Sequence, residues 1–95
     1  MKQYVLRILP EVQAHLRTLH PEIKSKIRSA LEEIVQNPDI GKALEDELTG
    51  LYTYRMSFYR IIYRILRDKI EVQVVDIDKR SVVYSKLEKS ILESK

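Results

Sequence analysis

Leu48-Thr49-Gly50-Leu51-Tyr52-Thr53-Tyr54-Arg55-Met56-Ser57-Phe58-Tyr59-Arg60-Ile61-Ile62-Tyr63 is the stretch that decides how this chain folds. Leu51 to Met56 and Phe58 to Leu66 are rich in β-formers and are separated by about one residue at Ser57, which predicts a tight hairpin. Arginine within a strand is costly unless it faces solvent or an anion. Arg55 and Arg60 sit close to the turn and are placed to converge on one side of a sheet. That arrangement points to an anion site, with phosphate the anion that fits best.

Alternation along a strand sorts the side chains into two faces. In the second strand Tyr59, Ile61, Tyr63 and Ile65 share one side, and Arg60, Ile62 and Arg64 the other. In the first, Tyr52, Tyr54 and Met56 oppose Thr53 and Arg55. The simplest packing buries the tyrosine-rich sides under helices and leaves Thr53, Arg55, Arg60 and Arg64 on an open, basic face.

Working outward, Arg67-Asp68-Lys69 turns the chain into a further strand from Ile70 to Ile77. Upstream, Tyr4 to Leu9 alternates and is read as the first strand. Pro10 ends it and suits the first position of a helix. Val12, Leu16 and Leu19 form a stripe on a short helix. His20-Pro21 breaks the pattern, and Ile23, Ile27, Ala30, Leu31 and Ile34 mark a longer helix that stops at Asn37-Pro38. Asp39 to Leu48 is acidic, a loop or short helical turn. Val83, Leu87 and Ile91 predict a final helix. The class is α+β: an N-terminal strand and helical hairpin packed on a mostly antiparallel, roughly four-stranded sheet, with a C-terminal helix. One domain over residues 1–95 is expected from length.

Composition sets the bounds. The 95 residues are 44% hydrophobic and 33% charged, as in a soluble protein with a modest core. No apolar run approaches the roughly 18 to 20 residues of a membrane helix. The start, Met1 to Ile8, lacks a signal-peptide core because Arg7 interrupts it, so a cytoplasmic protein with no membrane partner is expected. Without cysteine, disulfides, thiolate catalysis and cysteine-bound zinc are excluded. The net charge is +3 but uneven. Residues 51–69 carry Arg55, Arg60, Arg64, Arg67 and Lys69 against Asp68, whereas residues 31–48 carry six carboxylates against Lys42. One face is thus suited to a polyanion.

Leu48-x-Gly50, Tyr54-Arg55-Met56, Tyr59-Arg60-Ile61-Ile62-Tyr63 and Lys79-Arg80-x-x-x-Tyr84 resemble the RelE/ParE superfamily of toxins, over nearly the whole chain. The resemblance implies the toxin of a type II toxin–antitoxin system. RelE-like members cut mRNA in the ribosomal A site without a metal or other cofactor, by attack of the ribose 2′-OH to leave a cyclic phosphate. ParE-like members share the fold, inhibit DNA gyrase and are not nucleases. By position, Arg55 matches a basic residue of the catalytic sheet and Arg60 the arginine at the scissile phosphate. Arg80 matches the arginine at the leaving oxygen, and Tyr84 the tyrosine that stacks on or orients the base. Lys79, Thr53 and Arg64 are expected in substrate-binding positions.

The chain departs from the pattern in three places. Thr53 stands where the best-known RelE members carry a lysine that serves as general base. Ser57-Phe58 replaces the frequent Gly-Asp, and Lys79 stands where many relatives have histidine. His15 and His20 lie in the helical half, far along the chain from the strand arginines, and are not expected to take part. Asp76 and Asp78 suit the orienting of an arginine, and nothing marks them as a metal pair.

A ribosome-dependent endoribonuclease is therefore the first expectation. A gyrase inhibitor, favoured by the missing lysine, or an inactive antitoxin-binding relative are the alternatives. Ribosome, mRNA and a cognate antitoxin are the expected partners, with operator DNA reached through the antitoxin complex.

Overall fold

The structure is a computed structural model that describes residues 3–79. The predicted C-terminal helix, with Arg80 and Tyr84, lies outside the described residues. Strand β1 (Val5–Ile8) leads into helices α1 (Pro10–Arg17) and α2 (Pro21–Gln36). Each helix opens on a proline, whose fixed φ suits the first turn and whose missing N–H costs nothing there. At α2 the His20 Nδ1 accepts the Glu22 backbone N–H at 3.2 Å, so the histidine acts as an N-cap.

A two-residue strand β2 (Lys42–Ala43) follows, then β3 (Leu51–Met56), β4 (Tyr59–Leu66) and β5 (Glu71–Lys79). The sheet order is β1-β5-β4-β3-β2, with β1 parallel to β5 and every other pairing antiparallel. The α+β class holds, but the sheet is five-stranded and mixed rather than four-stranded. The extra strand lies in the acidic segment read as loop, where two residues are too few for a periodic pattern.

The hairpin between β3 and β4 turns through Ser57-Phe58, two residues rather than one. Ser57 has φ of 56° there, the left-handed value that a tight hairpin demands of its first central residue. Ile70 is part of the next turn rather than the start of β5, with φ of 52°. The two faces of the sheet divide as alternation predicts. Ile61, Tyr63, Val72, Val74 and Ile77 are buried with Val12, Ile27, Ala30, Leu31, Ile34 and Val35 of the helices. Tyr52, Tyr54, Met56, Tyr59 and Ile65 pack around them.

Strand β5 breaks its own alternation. Ile62 pairs with Asp76 but Tyr63 pairs with Val74, so Val75 is an extra residue in a β-bulge. The core side of β5 therefore runs Val72, Val74, Ile77. The bulge turns Asp76 and Asp78 onto the side of Arg60, where Asp78 is the register partner of Arg60.

One tyrosine fixes the edge of the sheet. The Tyr63 hydroxyl donates to the Pro38 carbonyl at 2.6 Å and accepts the Gly41 N–H at 3.0 Å. Its ring stacks on Tyr52 with centroids 5.6 Å apart. Burial is the main reason its hydroxyl is pushed up to about 12. A Cβ on Gly41 would collide with that hydroxyl and approach the Thr53 carbonyl oxygen to 2.9 Å. Glycine is thus required at this position for space, and the contact seats β2 against β3.

Candidate functional site: the arginine face of the sheet

The side of the sheet away from the helices is built in rows by the register. Arg55 of β3 lies directly opposite Arg60 of β4, which in turn lies opposite Asp78 of β5. The next row runs Lys42, Thr53, Ile62, Asp76 across β2 to β5. The third runs Leu51, Arg64, Gln73. Directly opposed residues have Cβ atoms about 5 Å apart, so like charges there repel unless an anion or a carboxylate lies close. Asp78 supplies one such carboxylate on the far side of Arg60. Its Oδ1 accepts the Lys79 N–H at 2.8 Å.

Arg60 is half-buried and its Nη1 reaches the Thr53 Oγ1 at 3.5 Å, so the guanidinium lies across β3. Thr53 is only 4% exposed and Ile62 is fully buried. This corrects the expectation of Thr53 as an open surface residue. Thr53 sits inside the sheet with strands on both sides, under the reach of Arg60, and supplies a hydroxyl acceptor rather than a charge. Arg55 is exposed. Arg64 is exposed as well and donates to the Gln73 Oε1 at 3.1 Å.

The register separates Lys79 from this group. Lys79 is the partner of Tyr59, on the side of Ile61 and Tyr63, so it projects away from the Arg60 row. Arg80 and Tyr84 fall outside the described residues. The site as described therefore joins Arg55, Arg60, Thr53 and Asp78, with Arg64 four residues further along β4.

His15 is the residue that sequence reasoning set aside. Its Nε2 lies 3.6 Å from the Asp78 Oδ1, so α1 reaches the carboxylate that faces Arg60. Sequence distance hid this: β1 ends opposite Val74, leaving the outer end of β5 for α1 to cover. Among the described residues no group of three or more histidine or carboxylate side chains converges as metal ligands would.

The fold, a sheet covered on one side by a helical hairpin, is found in known proteins. Residues 6–84 match the family model described as ParE toxin of type II toxin-antitoxin system, parDE. The chain belongs to this family. The toxin is 29% identical over 83 residues to toxin RelG of Mycobacterium tuberculosis, covering 85% of this chain and 95% of that protein. It is also 29% identical to the mRNA interferase toxin RelE of Escherichia coli, over 80% of this chain and 84% of that one. Among solved structures, the M. tuberculosis toxin–antitoxin complex RelBE2 contains a chain that superposes with a TM-score of 0.77 at 28% identity, over 84% of this chain and 94% of that one. The isolated E. coli RelE toxin superposes with a TM-score of 0.71 at 26% identity, over 93% and 98%. The resemblance to the RelE/ParE superfamily, on its RelE-like side, is thus borne out, as is the α+β architecture.

Proposed function

We propose that this toxin is a ribosome-dependent mRNA endonuclease that acts without a metal. The 2′-hydroxyl of one nucleotide attacks the adjacent phosphorus, the bond to the 5′-oxygen breaks, and a cyclic phosphate and a free 5′-OH result. Negative charge builds on the non-bridging oxygens as the phosphorus becomes five-coordinate. The observation that supports this reading above all others is the direct cross-strand opposition of Arg55 and Arg60 on the side of the sheet away from α1 and α2. Asp78 offsets part of that positive charge from one side, and two neighbouring guanidinium forks still favour a phosphate, whose oxygens they match two at a time. Arginine side chains hold their protons, so the pair acts through charge and placement rather than proton transfer. Arg80 and Tyr84 are assigned to the leaving oxygen and the base by resemblance. That a relative, E. coli RelE, is named an mRNA interferase toxin supports mRNA as the target.

A cognate antitoxin is part of the proposal. Relatives are known in toxin–antitoxin complexes. The fold also offers a cavity of about 560 Å³ between β1 and the helices, with Leu6, Ile8, Ile27 and Leu31 in its apolar lining and Arg17 and Arg28 among its charged residues. An acidic amphipathic segment suits such a surface.

The test is cleavage of mRNA in translating ribosomes by the wild type and by Arg60→Ala. Wild-type protein should cut. Removing one preorganised donor to the transition-state charge should slow cutting by about 10² to 10³. Intact mRNA together with trapped gyrase–DNA complexes would overturn the proposal in favour of a gyrase inhibitor.

A further inference from the structure

The row of the sheet next to Arg55 and Arg60 ends on a cation that the reaction has not yet used. Lys42 is the register partner of Thr53 across β2 and β3, and cross-strand partners share a face. Lys42 therefore projects to the side of Arg55 and Arg60, and it is exposed. Thr53 between them carries no charge, and the Arg60 guanidinium leans onto its hydroxyl. The cations of β4 and β2 therefore lie on the same side of the sheet with a buried, uncharged Thr53 between their strands, a span of two strand spacings or about 10 Å.

The backbone that carries Lys42 is anchored. The residue before it, Gly41, gives its N–H to the buried Tyr63 hydroxyl at 3.0 Å and has no room for a side chain. The backbone at Lys42 is tied to the centre of the sheet. A charge presented by a rigid element positions a substrate better than one on a free loop.

Resting on the cleavage reading, we propose that Lys42 is a further substrate-binding residue. It holds a phosphate of single-stranded RNA next to the one taken by Arg60, so that the backbone crosses β4, β3 and β2. It fixes where the chain lies and takes no part in bond making. The bland account of an exposed lysine on an edge strand is that it blunts the edge against pairing with other chains. The two accounts predict different measurements: one moves RNA affinity, the other moves the association state.

The experiment is single-turnover cleavage of mRNA on programmed ribosomes, titrated with toxin at several salt concentrations. Lys42→Ala should raise the half-saturating toxin concentration roughly threefold to tenfold, the range of a single charge-assisted contact, with the maximal rate within about twofold of wild type. Its logarithmic salt slope should be shallower by about 0.7, the loss of one phosphate contact to a single strand. Lys42→Arg should restore both, and Lys42→Glu should be worse than Lys42→Ala. Lys26→Ala, at an exposed position of α2, should match wild type. Half-saturation and salt slope unchanged in Lys42→Ala would overturn the inference while wild-type cutting upholds the cleavage reading. A change only in sedimentation or elution volume would likewise overturn it in favour of edge protection. Failure of the wild type to cut at all would instead sink the cleavage reading, and this inference with it.

Discussion

Ile61 and Arg60 are adjacent in β4 and belong to two different surfaces. On the helix side, Ile61 is fully buried and its neighbours across the sheet are Tyr54 and Ile77. On the other side, Arg60 is flanked by Arg55 and Asp78. The first surface is made by the hydrophobic effect, which rewards any apolar group of fitting volume. The second sets Arg60 between a like charge and an opposite one, so its net contribution to stability is small. Under the proposed function, Ile61 serves the core and Arg60 the site, and substitutions at the two should have different effects.

The sharpest break is Ile61→Ala. It should lower unfolding free energy by roughly 2 to 5 kcal/mol through lost burial and the cavity left behind, read from denaturant titration. Arg60→Ala should leave the denaturation midpoint near wild type while activity collapses. A midpoint loss in Arg60→Ala as large as that in Ile61→Ala would erase the distinction between the faces.

Tyr63→Phe comes next. It removes the hydroxyl that joins Pro38 and Gly41 to the core, and should cost about 1 to 3 kcal/mol because those backbone groups lose their partner. The same hydroxyl has a signature in pH. Its folded-state value lies near 12 against 10.0 for an ordinary tyrosine, so the folded state holds the proton more tightly. That contribution is fully present below pH 10 and is lost as pH rises toward 12. Tyr54, raised chiefly by its hydrogen bond to Glu33, acts in the same sense. The stability of Tyr63→Phe should fall less steeply than wild type over that window. Parallel curves for the two proteins would remove Tyr63 from the account.

The smallest effect is expected at the hairpin that joins β3 to β4. Ser57 holds a left-handed φ that glycine adopts without strain, so Ser57→Gly should stabilise by roughly 0.5 to 1 kcal/mol. A drop in stability would mean that the serine side chain has a role of its own in the turn.

Much of this architecture was legible because strong periodicity survives tertiary packing. The two helices, the Pro10 start of the first and the parity of β3 and β4 were legible, the last in the spacing of Tyr59, Ile61 and Tyr63; that Pro21 opens the second helix rather than only breaking the pattern was not. What was not legible depends on long-range pairing. The bulge at Val75 puts Asp78 beside Arg60; its trace in the sequence is the uneven apolar spacing Val72, Val74, Ile77, which a strict two-residue alternation misses. His15 meets Asp78 because β1 pairs with β5, a contact no local pattern encodes. Thr53 looked like surface from its parity, yet parity says which side a residue faces and not what lies over it. Lys42 sat in a segment too short to show any period.

The pairing of β1 with β5 also sets a schedule. Val5 finds its partner in Glu71, and Ile8 in Val74, after more than sixty intervening residues. During synthesis the first strand must wait, unpaired, until almost the last described strand has been made. Arg60 likewise stands without its carboxylate neighbour until Asp78 emerges. The assembled arginine surface is therefore a late product of translation, and a chain abandoned part-way by its own ribosome carries the arginines but not the sheet that aims them.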